Sequence, residues 1–341
     1  MRARALLAVA ALGCGGAGAK APAAETPLAL APAVDLAPAA ALSTLVLVRP
    51  KEIYADATLL PALTLGLPDD QVATFASRHG GVDPRQLDEI VVAAYPHATL
   101  LLGRGVIDPR KVEASFSDHS LGVDGRAVDH AAGPLTTITR LWADVPNGAG
   151  PTQHEQLVLM GHEVVGLEID EQPPVEGKPT VGPARAAELF ALRKLAKARP
   201  ALAAPPLESA AKVLGDAPVL VMFPGPFEGQ AASALGGLLR AATAVGMAAK
   251  PDGAGTVRIK ITVLGAFGDK APQAADKLSA ATDMVAASSL GRLAGLDHPK
   301  RPFQARSTPE SATVEGAVDA LALARGVLAA TSAQISEIMQ Y

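Results

Sequence analysis

The 341-residue chain holds one cysteine and only 11 aromatic residues: seven Phe, three Tyr and one Trp. A single thiol excludes a disulfide scaffold and any cysteine-rich zinc site. Few rings mean few platforms on which bases or sugars could stack. A basic excess is missing as well. Thirty Lys and Arg stand against 34 Asp and Glu, a formal charge of −4, so nothing is on hand to grip a phosphate backbone and no nucleic-acid partner is expected. Catalytic signatures are also absent. There is no Gly-x-Ser-x-Gly elbow and no Walker loop, and Gly103-Arg104-Gly105 continues without the third glycine of a dinucleotide fingerprint. His162-Glu163 opens like a zinc-peptidase motif, but Gly166 stands where the second histidine is needed. What the chain does have is 49% hydrophobic residues, enough at this length for a sizeable core and too many for disorder of the whole chain.

The N-terminus reads as an address. Arg2 and Arg4 precede an uncharged apolar run, Ala5 to Leu12, and then Gly13-Cys14-Gly15-Gly16. That run is far too short to span about 30 Å of hydrocarbon, and it fits the core of a cleavable signal. Ala11-Leu12-Gly13-Cys14 resembles the lipobox of bacterial lipoprotein precursors, departing from it at Ala11, where the family prefers leucine. The resemblance covers residues 1–14 alone. It implies cleavage before Cys14, acylation of the Cys14 thiol and amino group, and, because Gly15 rather than aspartate follows, transport to the outer membrane. The expected localisation is therefore the cell envelope, held by lipid on Cys14, with the membrane and an envelope protein as partners. Each buried methylene would contribute about 0.8 kcal/mol to that anchor. An ordinary secretory signal cut near Ala17 or Ala19 is the competing reading. Residues 14–40, with prolines 22, 27, 32 and 38, then read as a tether; the alternative is that Pro27 to Leu36 lies along the globular surface.

Two bodies of sequence follow, 41–199 and 217–341, joined by a linker at 200–216 that contains Pro205-Pro206. In the first, Leu42–Val48, Ile90–Tyr95 and Ala98–Val106 read as strands, Lys51–His79 as helix broken at Pro61 and Pro68, and Asp108-Pro109 as a helix start. Asp124-Gly125 and Gly161-His162 read as hairpin turns, and Leu135–Val145 as a strand ending at Asn147-Gly148. Pro183 begins a helix expected to end before Pro200. In the second, Pro218–Phe223 and Thr256–Leu264 read as strands, and Phe227–Ala249 as helix. A helix capped by Asp269 follows to about Leu293, then a hairpin across Pro309-Glu310, then a final helix to Met339. Strand, helix, strand, helix, hairpin thus recurs. The expected fold class is α+β: two related lobes, each an antiparallel sheet with helices packed on one face in ferredoxin-like layers.

Few side chains suggest a site. Asp118-His119 and Asp129-His130 would flank the Asp124-Gly125 hairpin and converge as a metal set. Glu168, Asp170 and Glu171 form an acidic cluster expected to be a solvated loop. Arg193, Lys194, Lys197 and Arg199 suit a helix C-terminus. Phe223 and Phe227, held by Pro224-Gly225-Pro226, either line a partner contact or seal the core. No cofactor is implied. The expected function is a lipid-anchored, non-enzymatic binding or structural module of the envelope. The alternatives are an envelope hydrolase whose site leaves no motif and a carrier of an apolar ligand, whose mark would be a cavity between sheet and helices.

Overall fold

A computed structural model describes residues 28–338 except 130–132, 134, 147–151, 171–181 and 196, with side chains to residue 330. Cys14, the signal, residues 15–27 of the tether, His130, Glu171 and the Asn147-Gly148 turn lie outside the described residues.

The chain is α+β, built on one antiparallel sheet of twelve strands. The strands are β1 (Thr44–Val48), β2 (Glu89–Ala94), β3 (Ala98–Arg104), β4 (Val123–Asp129), β5 (Ile138–Val145), β6 (Gln153–Met160) and β7 (Val164–Asp170) in the first part. In the second they are β8 (Val219–Pro224), β9 (Ala242–Pro251), β10 (Thr256–Gly265), β11 (Arg301–Thr308) and β12 (Ser311–Asp319). The helices are α1 (Pro50–Tyr54), α2 (Leu60–Gly66), α3 (Asp69–Arg78), α4 (Pro109–His119), α5 (Pro183–Ala191), α6 (Pro205–Leu214), α7 (Gly229–Gly237), α8 (Ala271–Ala287), α9 (Ser289–Leu293) and α10 (Ala320–Ile338). The spatial order is β11-β12-β10-β9-β8-β1-β2-β3-β7-β6-β5-β4. The two parts meet at β1 and β8, which pair through Leu45↔Met222 and Leu47↔Leu220, so their strands form a single sheet.

Both faces of the sheet are apolar, and helices cover both, not one. On one face Leu45, Ala93, Leu100, Met222 and Val158 join α5 and α6 in the largest core cluster. On the other, α8 packs over Val263, Ala312 and Val314, and Val112 of α4 over Leu141, Leu157 and Leu159. Strands apolar at successive positions, such as Leu45-Val46-Leu47-Val48, need cover on both sides.

The linker and tether expectations change accordingly. Within 200–216, α6 buries Leu207, Ala210 and Leu214 against the sheet. Residues 28–40 are no tether: Ala33, Val34, Leu36 and Ala37 are buried in the core, Tyr95 Oη donates to Pro38 O (2.9 Å), and Ala201 N donates to Ala37 O (2.8 Å). Folded structure therefore extends back to residue 28, closer to the surface alternative than to the tether, and deeper than either.

Other local expectations yield to packing. Ala242–Ala249 is strand, not helix. Ala244, Gly246 and Ala248 lie under α6, and a Cβ on Gly246 would come within 2.7 Å of Leu214. This tertiary demand for small alternating residues overrides the helix propensity of alanine. α7 instead ends at Gly237, after left-handed Leu235 and Gly236. Asp124-Gly125 is not a turn but a register irregularity inside β4; glycine is needed there because a Cβ would strike the Trp142 ring. α5 stops at Ala191, with Arg193 left-handed (φ 55°), so Arg193 to Arg199 lie beyond the helix; Lys194 pairs with Asp129 at 3.7 Å. Asp269 falls in a short 3-10 turn before α8 and makes no side-chain cap to that helix. Ser288 divides the expected long helix and caps α9 through Gly291 N (3.0 Å).

Candidate functional site

Seven apolar residues in direct register cross the sheet: Val314, Ile261, Met247, Val221, Val46, Val92 and Leu101. α8 buries the Val314 end, but Val46, Val92, Val221 and Met247, at the sheet centre, remain half-exposed. The neighbouring residues Val48, Ile90, Val219, Ala249 and Val257 are the sheet side of a cavity of about 500 Å³. Its roof is α2 and α10. These helices pack together through Ala62, Leu63, Ala320 and Ala324, and turn Leu323, Val327 and Leu328 into the space. Among all the lining side chains only Tyr54, Arg85 and Lys250 carry a polar group. The roof side chains are aliphatic and none is aromatic. Leu60 and Leu65 of α2, Leu67 just after it and Val327 of α10 extend the apolar character to the exterior.

The sequence-nominated residues gather elsewhere or not at all. Asp118 and His119 end α4, and Asp129 ends β4. The seven-residue strand between them spans about 20 Å, so the hairpin that would have joined them does not form; His119 Nδ1 instead contacts Ser115 O (2.7 Å). Phe227 packs on the core cluster under α8, while Phe223, next to the end of β8, is exposed at 38%.

Glu168 is the largest departure. It is not in a solvated loop but on β7, 2% exposed. Its carboxylate accepts from Ala184 N at the start of α5 (2.5 Å), and a Cβ on Gly182 would collide with it. Burial pushes the Glu168 carboxyl up to about 7, against the pull of that backbone donor. Asp170, beside it, is also raised by burial.

His154 sits on β6 between Asp144 and Asp170 in register. His154 Nδ1 lies 3.2 Å from Asp144 Oδ1. The irregularity in β4 brings Asp124 to the same place, and one ligand atom from each of Asp124, Asp144 and His154 falls within 4.8 Å of the others. Two carboxylates and an imidazole could hold a divalent cation, though both aspartates are exposed. Their sequence spacing carries no sign of this, since it depends on strand pairing.

No known protein family, curated protein or solved structure matches the chain. Among the described residues no helix is long and apolar enough to cross a membrane.

Proposed function

We propose that the chain is a lipid-anchored protein of the cell envelope that carries an apolar ligand between its sheet and the α2–α10 roof. The cavity carries this reading. A space of about 500 Å³ lined almost wholly by aliphatic side chains lies within the range of roughly 300–1,000 Å³ of small-molecule sites, and burying apolar surface there gains about 25 cal/mol per Å².

The test is titration of the full-length Cys14→Ala protein, which has no acyl chain of its own, with N-phenyl-1-naphthylamine, a neutral apolar fluorophore. Saturable binding is expected. Ala324→Trp combined with Ala62→Phe should fill the cavity and weaken binding at least tenfold while the far-ultraviolet spectrum is kept. Absence of saturable binding to the parent protein would overturn the carrier reading.

The anchor rests on Ala11-Leu12-Gly13-Cys14. Mass spectrometry of the native protein should find residues 1–13 removed and acyl chains on Cys14; an intact chain with a free thiol would defeat it. We further propose that the two parts are related modules. Outward from the β1–β8 junction, one runs β1-β2-β3 and then the last strand of its set, β7; the other runs β8-β9-β10 and then β12. The first part differs by an additional hairpin. Superposing Thr44–Arg104 on Val219–Gly265 checks this, since related modules must share strand directions and spacings.

A further inference from the structure

We infer that Asp124, Asp144 and His154 form a binding site for a divalent transition-metal ion at the β4 edge of the sheet. The inference stands apart from the carrier reading, and the site shares no residue with the cavity. Each ligand comes from a different strand. Asp144 on β5 and His154 on β6 are register partners, and directly opposed side chains share a face. Asp124 reaches them because β4 is irregular here. Val123 pairs with Ala143 and Gly125 with Trp142, so Asp124 is one residue too many for the ladder. An extra residue of this kind re-aims a side chain. The three ligand atoms consequently lie within 4.8 Å of one another.

Charge and donor chemistry decide what fits among them. At other places converging carboxylates enclose an arginine: Asp69 and Asp83 meet on Arg85, and Glu52 and Asp216 on Arg49. Among the described residues neither Asp124 nor Asp144 pairs with a lysine or arginine, and a further carboxylate, Asp170, follows in register on the far side of His154. A hydrogen bond between Asp144 and His154 alone leaves Asp124 without a counter-ion, whereas a divalent cation compensates both aspartates. Its class follows from the imidazole, which suits zinc, copper, iron and nickel, while magnesium and calcium prefer oxygen ligands. Bonds of about 2.0–2.1 Å to zinc place two tetrahedral ligands about 3.3 Å apart. His154 Nδ1 and Asp144 Oδ1 are 3.2 Å apart. The His154 side chain is 19% exposed and that of Asp144 54%. The imidazole is thus the fixed ligand, the aspartates can close on the ion, and water can complete the coordination.

The chain's single tryptophan, Trp142, supplies the readout. It is the partner of Gly125 and lies two residues before Asp144 on the same face of β5, about 7 Å along the strand, where bound cobalt(II) quenches fluorescence. The metal-stripped full-length Cys14→Ala protein, which has no thiol to compete, is titrated with cobalt chloride. Quenching should saturate at one ion per chain in the micromolar range. Zinc chloride should restore the emission by displacing cobalt, and calcium chloride should not. His154→Gln and Asp124→Asn should each weaken cobalt binding at least tenfold, while His298→Gln, at an exposed histidine elsewhere, should leave it unchanged. Asp124 is exposed, so Asp124→Asn decides should His154→Gln fail to fold. Quenching that does not saturate up to millimolar cobalt, an affinity untouched by the site variants, or displacement by calcium as readily as by zinc overturns the inference.

Discussion

Glu188→Ala is expected to cost about 3–5 kcal/mol of stability, the usual result of removing one partner of a buried ion pair. Glu188 is 1% exposed on α5. One of its oxygens accepts from Arg140 Nε on β5 (3.1 Å), and the other pairs with Arg185. Arg140 is mostly buried too, with its guanidinium 4.9 Å from the Trp142 ring centre. Taking away the carboxylate leaves that guanidinium in a poorly solvated place with only the ring and a long contact to Gln156 (3.4 Å). A fall in melting temperature on the order of 10 °C follows from the usual 2–4 °C per kcal/mol. Arg140→Met combined with Glu188→Leu removes both charges and should be far milder. Thermal denaturation of the three proteins checks this; a double variant as unstable as Glu188→Ala would contradict it.

Glu168→Gln is expected to change the pH dependence of stability. The folded-state carboxyl titrates near 7, against 4.5 for an ordinary glutamate. A raised value means the folded protein favours the proton. The resulting stabilisation is complete below 4.5 and disappears as pH rises through 7. Its ceiling is about 3 kcal/mol, from roughly 1.4 kcal/mol per unit. Between pH 5 and 8 the parent protein should lose much of this, whereas the glutamine variant, whose amide oxygen can still accept from Ala184 N, should lose less. The variant should therefore be the more stable of the two at pH 8. Denaturant midpoints at pH 5 and 8 decide it, and parallel pH profiles would exclude Glu168 as the responsible group.

The sequence made local features legible and left pairing hidden. Asp108-Pro109 caps α4 as its residues suggest, with the Asp108 carboxylate accepting from Arg110 N and Lys111 N, and Gly161 turns β6 into β7 with positive φ. Cap and turn signals depend on neighbours in the chain. Ala242–Ala249 looked helical because its composition is helix-forming; what makes it a strand is α6, about thirty residues earlier, pressing on Gly246. Gly125 resembled a turn for a similar reason: its partner, Trp142, is visible only after β4 and β5 pair. Glu168 looked solvated among acids because only the later return of α5 covers it. Of the candidate site, the abundance of small aliphatic residues was legible, but whether they pack tightly or leave a space depends on where α2 and α10 come to rest.

The pairing of β1 with β8 bears on how the molecule comes apart. Either part alone would present an uncovered strand edge of Val and Leu, a template for adding foreign strands. A cut in the connection between α5 and α6 should therefore yield two fragments that stay together as a non-covalent complex, not two independent domains. For the same reason, a chain emerging during synthesis holds an open β1 edge until β8 arrives about 170 residues later, an interval in which a chaperone or a second nascent chain competes for that edge.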